Sequence, residues 1–338
     1  MYTIESFCNS IWGTSHAKVL QSVARDDYRE FEIPKKAGAR KINYLSPGSP
    51  LMKLQKRLLV NFLEKQPLPV CAKGFKKGES YLTFLSPHTD SKFFLRIDIE
   101  AFFPTISEDH IKNELSMFIS CGPEEDKEKL LDLICDITTL NHSLPQGACT
   151  SPAVSNLVMA RTDQRILKYC QVFDVCYTRY ADDLLFSSRT FDFCEKKWFL
   201  KKIKYILSAQ KFKINYSKMK YGKNELILNG YVISHSGIQL SRNRLSDIRH
   251  ICSFVKDNYH VYETSGAERF LALANTLRLK HRDLTAYPFT SVFQMNQYLC
   301  GYRAFLLSFI DTNNRSAPFQ KQLLRLIARI ERQALKLS

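Results

Sequence analysis

The chain has 338 residues, 45% hydrophobic and 12% aromatic, which is ample for a core and long enough for two or three packed units. Its net charge of +16 and isoelectric point near 9.3 favour a polyanionic partner, either nucleic acid or an anionic membrane surface. No membrane partner is expected, because the longest apolar run near the end, Tyr302 to Ile310, contains Arg303 and falls far short of a span. The ten cysteines show no CxxC spacing and no HxxxH accompanies them, which argues against zinc. Scattered in this way, they read as small buried hydrophobes of a reducing compartment, so a cytoplasmic protein is expected. The first residues carry neither a basic n-region nor an apolar h-region, and no secretory signal is expected.

Residues 1 to 30 read as a helical lead-in, with Lys18, Val19, Val23 and Ala24 at helical spacing. Residues 31 to 46 place two apolar stretches around a turn at Gly38, and Lys35, Lys36, Arg40 and Lys41 crowd this hairpin. A solvated basic hairpin accounts for the pattern; so does a phosphate reached by Arg40 or Lys41. A helix is expected from about Leu51 to Lys65, with Leu54, Leu58, Leu59 and Phe62 on one face. The loop from Gly74 to Glu79 is basic, but it lacks the GKS/T of a P-loop, which excludes a nucleotide-triphosphatase of that kind.

Phe94 to Ile97 has the continuous apolar character of a buried strand, and Asp98 ends it. Burying a carboxylate is costly unless it is paired or metal-bound, so Asp98 stands out. Ser107 is a suitable N-cap, followed by a helix that buries Ile111, Leu115, Phe118 and Ile119, and a second helix spans about Glu124 to Thr139. Small residues fill Gly147 to Ser151. A backbone this bare can approach a flat ligand, or it can be a linker leading into the helix that opens at Ser151-Pro152.

Tyr180-Ala181-Asp182-Asp183 follows Val175, Tyr177 and Tyr180 and precedes Leu184, Leu185 and Phe186. This reads as a β-hairpin with an acidic pair at its tip. Adjacent carboxylates repel, and one is expected to keep its proton unless a divalent cation removes the conflict. For the dipeptide alone, a solvated Asp-Asp turn is the other account. A basic amphipathic helix is expected over about Phe193 to Gln210, a strand and basic turn over Lys211 to Lys220, and one strand with a glycine kink over Leu226 to Ile233. From Ile238 onward helical stripes take over, and residues 239 to 338 hold 15 Lys and Arg against 7 Asp and Glu. That balance suits a helical bundle whose outer face meets phosphates.

Asp98, Asp182 and Asp183 each end or cap an apolar strand, and only a shared sheet would bring them together. Two-metal phosphoryl transfer requires such a cluster, with ions about 3.5–4 Å apart, and asks little else of the protein beyond positioning.

Asp98 with Ile99-Glu100-Ala101-Phe102-Phe103, the run from Leu144 to Leu157, and Tyr177 to Leu184 together resemble a reverse transcriptase. They resemble above all the bacterial retron group or a closely related phage-defence reverse transcriptase, over about residues 28 to 237. The resemblance implies an α+β right-hand polymerase. Behind a lead-in at 1–30 it implies fingers at 31–95, a palm with an antiparallel sheet at 96–237 (finger-side helices at about 107–140), and a helical thumb at 238–338. It implies two Mg²⁺ ions bound by Asp98, Asp182 and Asp183, with Ile99 in the metal set. Arg40, Lys41, Gln146 and Gly147 would meet the incoming dNTP, and Lys218 the leaving pyrophosphate. Leu228, Asn229, Gly230 and Tyr231 resemble the primer grip. Phe102 or Phe103 would lie beneath the sugar and exclude a 2′-hydroxyl, favouring dNTPs; counting alone does not choose between them. Implied partners are a structured noncoding RNA, its RNA–DNA hybrid and an effector protein, in anti-phage defence. An RNA-binding scaffold and a protein-primed or untemplated DNA synthesiser are the alternatives. Two family elements tied to recognition of the cognate RNA differ here. Phe84 to His88 keeps only the histidine of Asn-Ala-X-X-His, and Leu228-Asn229-Gly230 replaces Val-Thr-Gly.

Overall fold

A computed structural model of the chain describes residues 3–23, 28–34, 39–122, 124–280, 282–310 and 317–338. Ala24 of the lead-in, and Lys35, Lys36 and Gly38 of the expected basic turn, lie outside the described residues. The chain divides into two compact units, 1–88 with 93–223, and 89–92 with 224–338.

The first unit opens with α1 (Ile4–Trp12) and α2 (His16–Gln21). Thr3 and Ser6 form a capping box at the start of α1, and Gly13, with φ 67°, ends it. Phe7, Ile11 and Trp12 are buried, and the Trp12 indole donates to the Leu54 carbonyl at 3.0 Å. Strands β1 (Tyr28–Pro34) and β2 (Ala39–Leu45) pair antiparallel, with Ile33 opposite Arg40. Helix α3 (Pro50–Asn61) has Ser49 as its cap and buries Leu51, Leu54 and Leu58. It stops short of the expected Lys65, and Leu63–Lys65 form a separate 3-10 turn. Helix α4 (Tyr81–Leu85) follows.

Next come β3 (Phe93–Asp98), α5 (Phe102–Thr105), α6 (Glu108–Leu115), α7 (Glu124–Thr138) and α8 (Ser151–Gln171). Then follow β4 (Cys176–Tyr180), β5 (Asp183–Ser188), α9 (Lys197–Ser208) and β6 (Lys220–Lys223). The four strands form one sheet in the order β4-β5-β3-β6, with every pair antiparallel. Every residue of β5 is buried, so its apolar run has no polar alternation. The helices carry the rest of the core, including Ile111, Ile134, Val158, Ile166, Phe199 and Ile203. The strand expected within Lys211 to Lys220 is not there. Ile214 makes a single bridge to Ile99, Tyr216–Lys218 form a 3-10 turn, and β6 begins only at Lys220. A local polar bond, Ser217 Oγ to Asn215 Oδ1 at 2.6 Å, favours the turn.

The second unit begins with β7 (Glu225–Leu228), β8 (Tyr231–Ser234) and β9 (Gly237–Leu240), an antiparallel meander. Leu226 to Ile233 is therefore a hairpin and not one kinked strand. Asn229 (φ 46°) and Gly230 (φ 85°) both take positive φ, as a two-residue Asn-Gly hairpin turn requires. A Cβ on Gly230 would also meet Arg244 Nε at 2.5 Å. Ile238 belongs to β9, so the helices start later than expected. They are α10 (Arg242–Ala274, broken at Gly266 with φ 81°), α11 (Val292–Leu307) and α12 (Ala317–Lys336). Their buried residues include Leu245, Ile248, Cys252, Val255, Leu299, Leu323 and Ile330. Among the described residues no helix is long and apolar enough to cross a membrane.

Candidate active site

Tyr180 pairs with Asp183, which leaves Ala181 and Asp182 as the two-residue loop between β4 and β5. Ala181 sits at φ 56°, a conformation that a non-glycine residue holds only when its surroundings impose it. Gly74 supplies part of that constraint: a Cβ there would lie 2.6 Å from the Ala181 nitrogen and 3.2 Å from Tyr180 Cα. The Gly74 carbonyl accepts from Asn156 Nδ2 of α8 at 2.8 Å. Arg179, fully buried, donates to Asp163 through Nε at 3.0 Å and Nη2 at 2.8 Å, to Asn156 Oδ1 at 3.1 Å and to the Ala181 carbonyl at 3.1 Å. Tyr177 Oη donates to the same carboxylate at 2.8 Å. A buried ion pair persists only when its remaining donors and acceptors are satisfied in this way.

The β3–β5 register sets Asp98 directly opposite Asp183, and the Ile99 N–H donates to the Asp182 carbonyl at 2.9 Å. Arg96, two residues before Asp98, shares its face of the strand. Its guanidinium donates to Asp183 Oδ1 through Nη2 and through Nε at 2.8 Å, to Asp98 Oδ2 at 3.3 Å, and to the Lys218 carbonyl at 2.9 Å. Lys218 Nζ donates to both Asp98 oxygens, at 3.0 and 3.2 Å. Burial pushes the Asp183 carboxyl up to about 6; Arg96 opposes the shift and Asp182 adds to it. Burial also raises Asp182, with Asp98 adding to the rise. As placed, no group of three His, Cys, Asp or Glu side chains among the described residues surrounds a metal position. Asp98 and Asp183 are instead turned onto Arg96 and Lys218. The oxygen-only donors and their demand for positive charge nevertheless suit a hard divalent cation.

Phe102 is 3% exposed and packs on Phe103 at 5.4 Å and Phe212 at 5.7 Å between centroids. Phe103 is half-buried and stands 6.4 Å from exposed Phe75. The core therefore takes Phe102, and Phe103 is the ring of the pair that retains exposure. Arg40, Lys41, Asn43, Gln146 and Pro104 line a cavity of about 360 Å³, which Glu30 also borders. Lys41 is ion-paired to Glu30 at 3.0 Å. The Asn43 N–H donates to the Gln146 carbonyl at 2.7 Å. Gly147, with φ 127°, lies so close to β2 that a Cβ would meet the Asn43 carbonyl at 2.5 Å.

The first unit thus gathers Asp98, Ile99, Asp182, Asp183 and Lys218 at one end of its sheet, and Arg40, Lys41 and Gln146 around a cavity, with Gly147 packed against β2. Leu228, Asn229, Gly230 and Tyr231 belong to the second unit. There Tyr231 stacks on Phe309 at 5.6 Å, and Asn229 is exposed at the hairpin turn. Sequence reasoning missed Arg96, Gly74, Asn156, Asp163 and Arg179. Two of these carried a signal. Arg96 lies two positions before Asp98 in a strand, and Arg179 is a charge inside an apolar strand that needs a partner.

Residues 33–233 match the family described as reverse transcriptase (RNA-dependent DNA polymerase). The chain belongs to this family of RNA-directed DNA polymerases, with their α+β right-hand fold. Within the family its kinship is of the retron type. It is 31% identical over 226 residues to the Retron Ec86 reverse transcriptase of Escherichia coli, covering 66% of this chain and 68% of that one. It is 30% identical over 240 residues to the Retron Ec73 reverse transcriptase of Escherichia coli, covering 65% and 73%. With the Retron Mx65 reverse transcriptase of Myxococcus xanthus the identity is 30% over 172 residues, covering 47% and 40%. A solved telomerase from Candida albicans aligns with 94% of this chain and 65% of its own at 12% identity, with a TM-score of 0.47. Reverse transcriptases generally work with divalent metal ions.

Proposed function

We propose that the chain copies an associated structured noncoding RNA into DNA, joining dNTPs at Asp98, Asp182 and Asp183. The observation that carries this reading is the register that sets Asp98 opposite Asp183, with Asp182 beside it in the turn. Two Mg²⁺ ions held by these carboxylates, with Ile99 contributing its backbone, would activate the primer 3′-hydroxyl and stabilise the leaving pyrophosphate. The chain's own residues position the reactants. Arg40 and Lys41 receive the triphosphate beside Gln146 and Gly147. Lys218, its side chain about half exposed while bonded to Asp98, neutralises the departing phosphates. Phe103 excludes the 2′-hydroxyl, and Leu228 to Tyr231 grip the primer.

The nucleic-acid partner is supported by the second unit, where Arg249, Lys321, Arg325 and Arg329 line a cavity of about 520 Å³. Lys321, Arg325 and Arg329 repeat every fourth residue on α12, a like-charge arrangement that destabilises a helix until an anion meets it. The retron-type kinship supports anti-phage defence alongside an effector protein. The unbridged cysteines support a cytoplasmic setting.

The test is dNTP incorporation by the purified protein with its co-purifying RNA, followed by sequencing of the product. Asp182→Ala with Asp183→Ala should abolish synthesis, and the product should copy part of the bound RNA. Persisting synthesis in the double variant would overturn the site. Phage protection by that variant would point to a scaffold, and protease-sensitive, RNase-insensitive products to protein priming.

A further inference from the structure

Two carboxylates directly opposite each other on paired strands repel, and the β3–β5 register imposes that arrangement on Asp98 and Asp183. One side chain answers both. β3 lies between β5, which carries Asp183, and β6, which Lys218 precedes by two residues. Arg96 sits at the middle of β3, opposite Leu185 on one side and Lys220 on the other. From there its guanidinium reaches Asp183, Asp98 and the Lys218 carbonyl together, with the side chain 13% exposed.

We propose that Arg96 is a positioning residue of the polymerase site. It fixes the Asp98 and Asp183 carboxylates relative to each other and anchors the segment that presents Lys218. This rests on the proposed metal-binding role of the acids and adds what holds them in place. The guanidinium suits the task because its planar fork serves three acceptors at fixed angles, whereas an ammonium is a point charge on a flexible stem. The Lys218 carbonyl ties the same group to the backbone. Loss of Arg96 would therefore free both the acids and the lysine segment.

The experiment titrates Mg²⁺ alone into full-length wild type, Arg96→Met and Arg96→Lys by calorimetry. Each protein is also assayed for kcat and for dNTP KM, and its thermal unfolding is recorded. Removing a group that orients metal ligands costs about 10–100-fold in metal affinity or activity, and Arg96→Met should show a loss of that size. Its kcat should fall with little change in dNTP KM, and Arg96→Lys should recover only part of the loss. Mg²⁺ binding by Arg96→Met as tight as wild type, or tighter, would overturn the proposal and make Arg96 a competing counter-charge. If Arg96→Met does not fold, Arg96→Lys decides: full Mg²⁺ affinity and full kcat in that variant overturn the three-acceptor role. Asp98→Asn with Asp183→Asn is the control. Unchanged Mg²⁺ binding there would reject the acid site itself, a different failure from that of Arg96.

Discussion

Arg179 and Asp163 form an ion pair with both side chains wholly buried, Nη2 standing 2.8 Å from Oδ2, and the same guanidinium holds the carbonyl of Ala181 next to Asp182. The acidic turn is thus hung from a charge pair inside the core. Breaking such a pair by removing one partner costs about 3–5 kcal/mol, because the other charge is left uncompensated. Asp163→Ala should lower unfolding stability by that amount in urea titrations. Replacing both, with Arg179→Met and Asp163→Leu, should be less damaging than Asp163→Ala alone.

Gly74 approaches the turn from the other side. Gly74→Ala forces a Cβ into the Ala181 backbone, an overpacking worth about 1–3 kcal/mol, and should displace Asp182. DNA synthesis should fall more than thermal stability accounts for. Gly122→Ala, where a Cβ meets nothing within 4 Å, should behave as wild type in both assays.

His88 is the remnant of a family element tied by resemblance to RNA recognition, yet it is fully buried. Its Nδ1 lies 2.8 Å from Ser187 Oγ and its Nε2 lies 2.7 Å from Thr178 Oγ1, so the imidazole rivets β5 to β4 and offers nothing to an RNA. Burial lowers its pKa to about 3. A depressed folded pKa means the contribution of neutral His88 is fully present above the ordinary value near 6.5 and is lost as pH falls from there toward 3. The loss is at most about 1.4 kcal/mol per pH unit. Asp183 works oppositely: its raised pKa makes the fold gain stability as pH falls through about 6 toward the ordinary carboxylate value. Urea midpoints for wild type and His88→Gln between pH 7 and 4 separate the two. The acid-side decline should flatten in the variant.

Phe102 and Phe103 should divide by function. Phe102→Ala opens a core cavity and should cost about 3–5 kcal/mol. Phe103→Ala should leave stability nearer wild type and let ribonucleotides compete, read as a fall in the ratio of dNTP to rNTP incorporation. Unchanged sugar selectivity in Phe103→Ala would remove that ring from the proposed gate.

The elements that local chemistry specifies were legible in the chain alone. Ser107 before Glu108 and Asp109 marked a helix start, Ser151-Pro152 marked another, and apolar runs ending in Asp98 or turning at Asp182 marked the strands. The Asn229-Gly230 turn was equally local, but reading its flanks as one strand hid it. Register and packing are long-range and decided the rest. Nothing near Arg96 in sequence says that Asp183, 87 residues on, will lie against it. Nor does Gly74 announce that the turn at Ala181 will press on it, or Phe102 that it, rather than Phe103, will enter the core. The sequence by itself determined which groups can carry the chemistry, because residue type and strand period are local. Tertiary structure decided which charges neutralise them, because an ion pair forms only where the sheet brings its partners together.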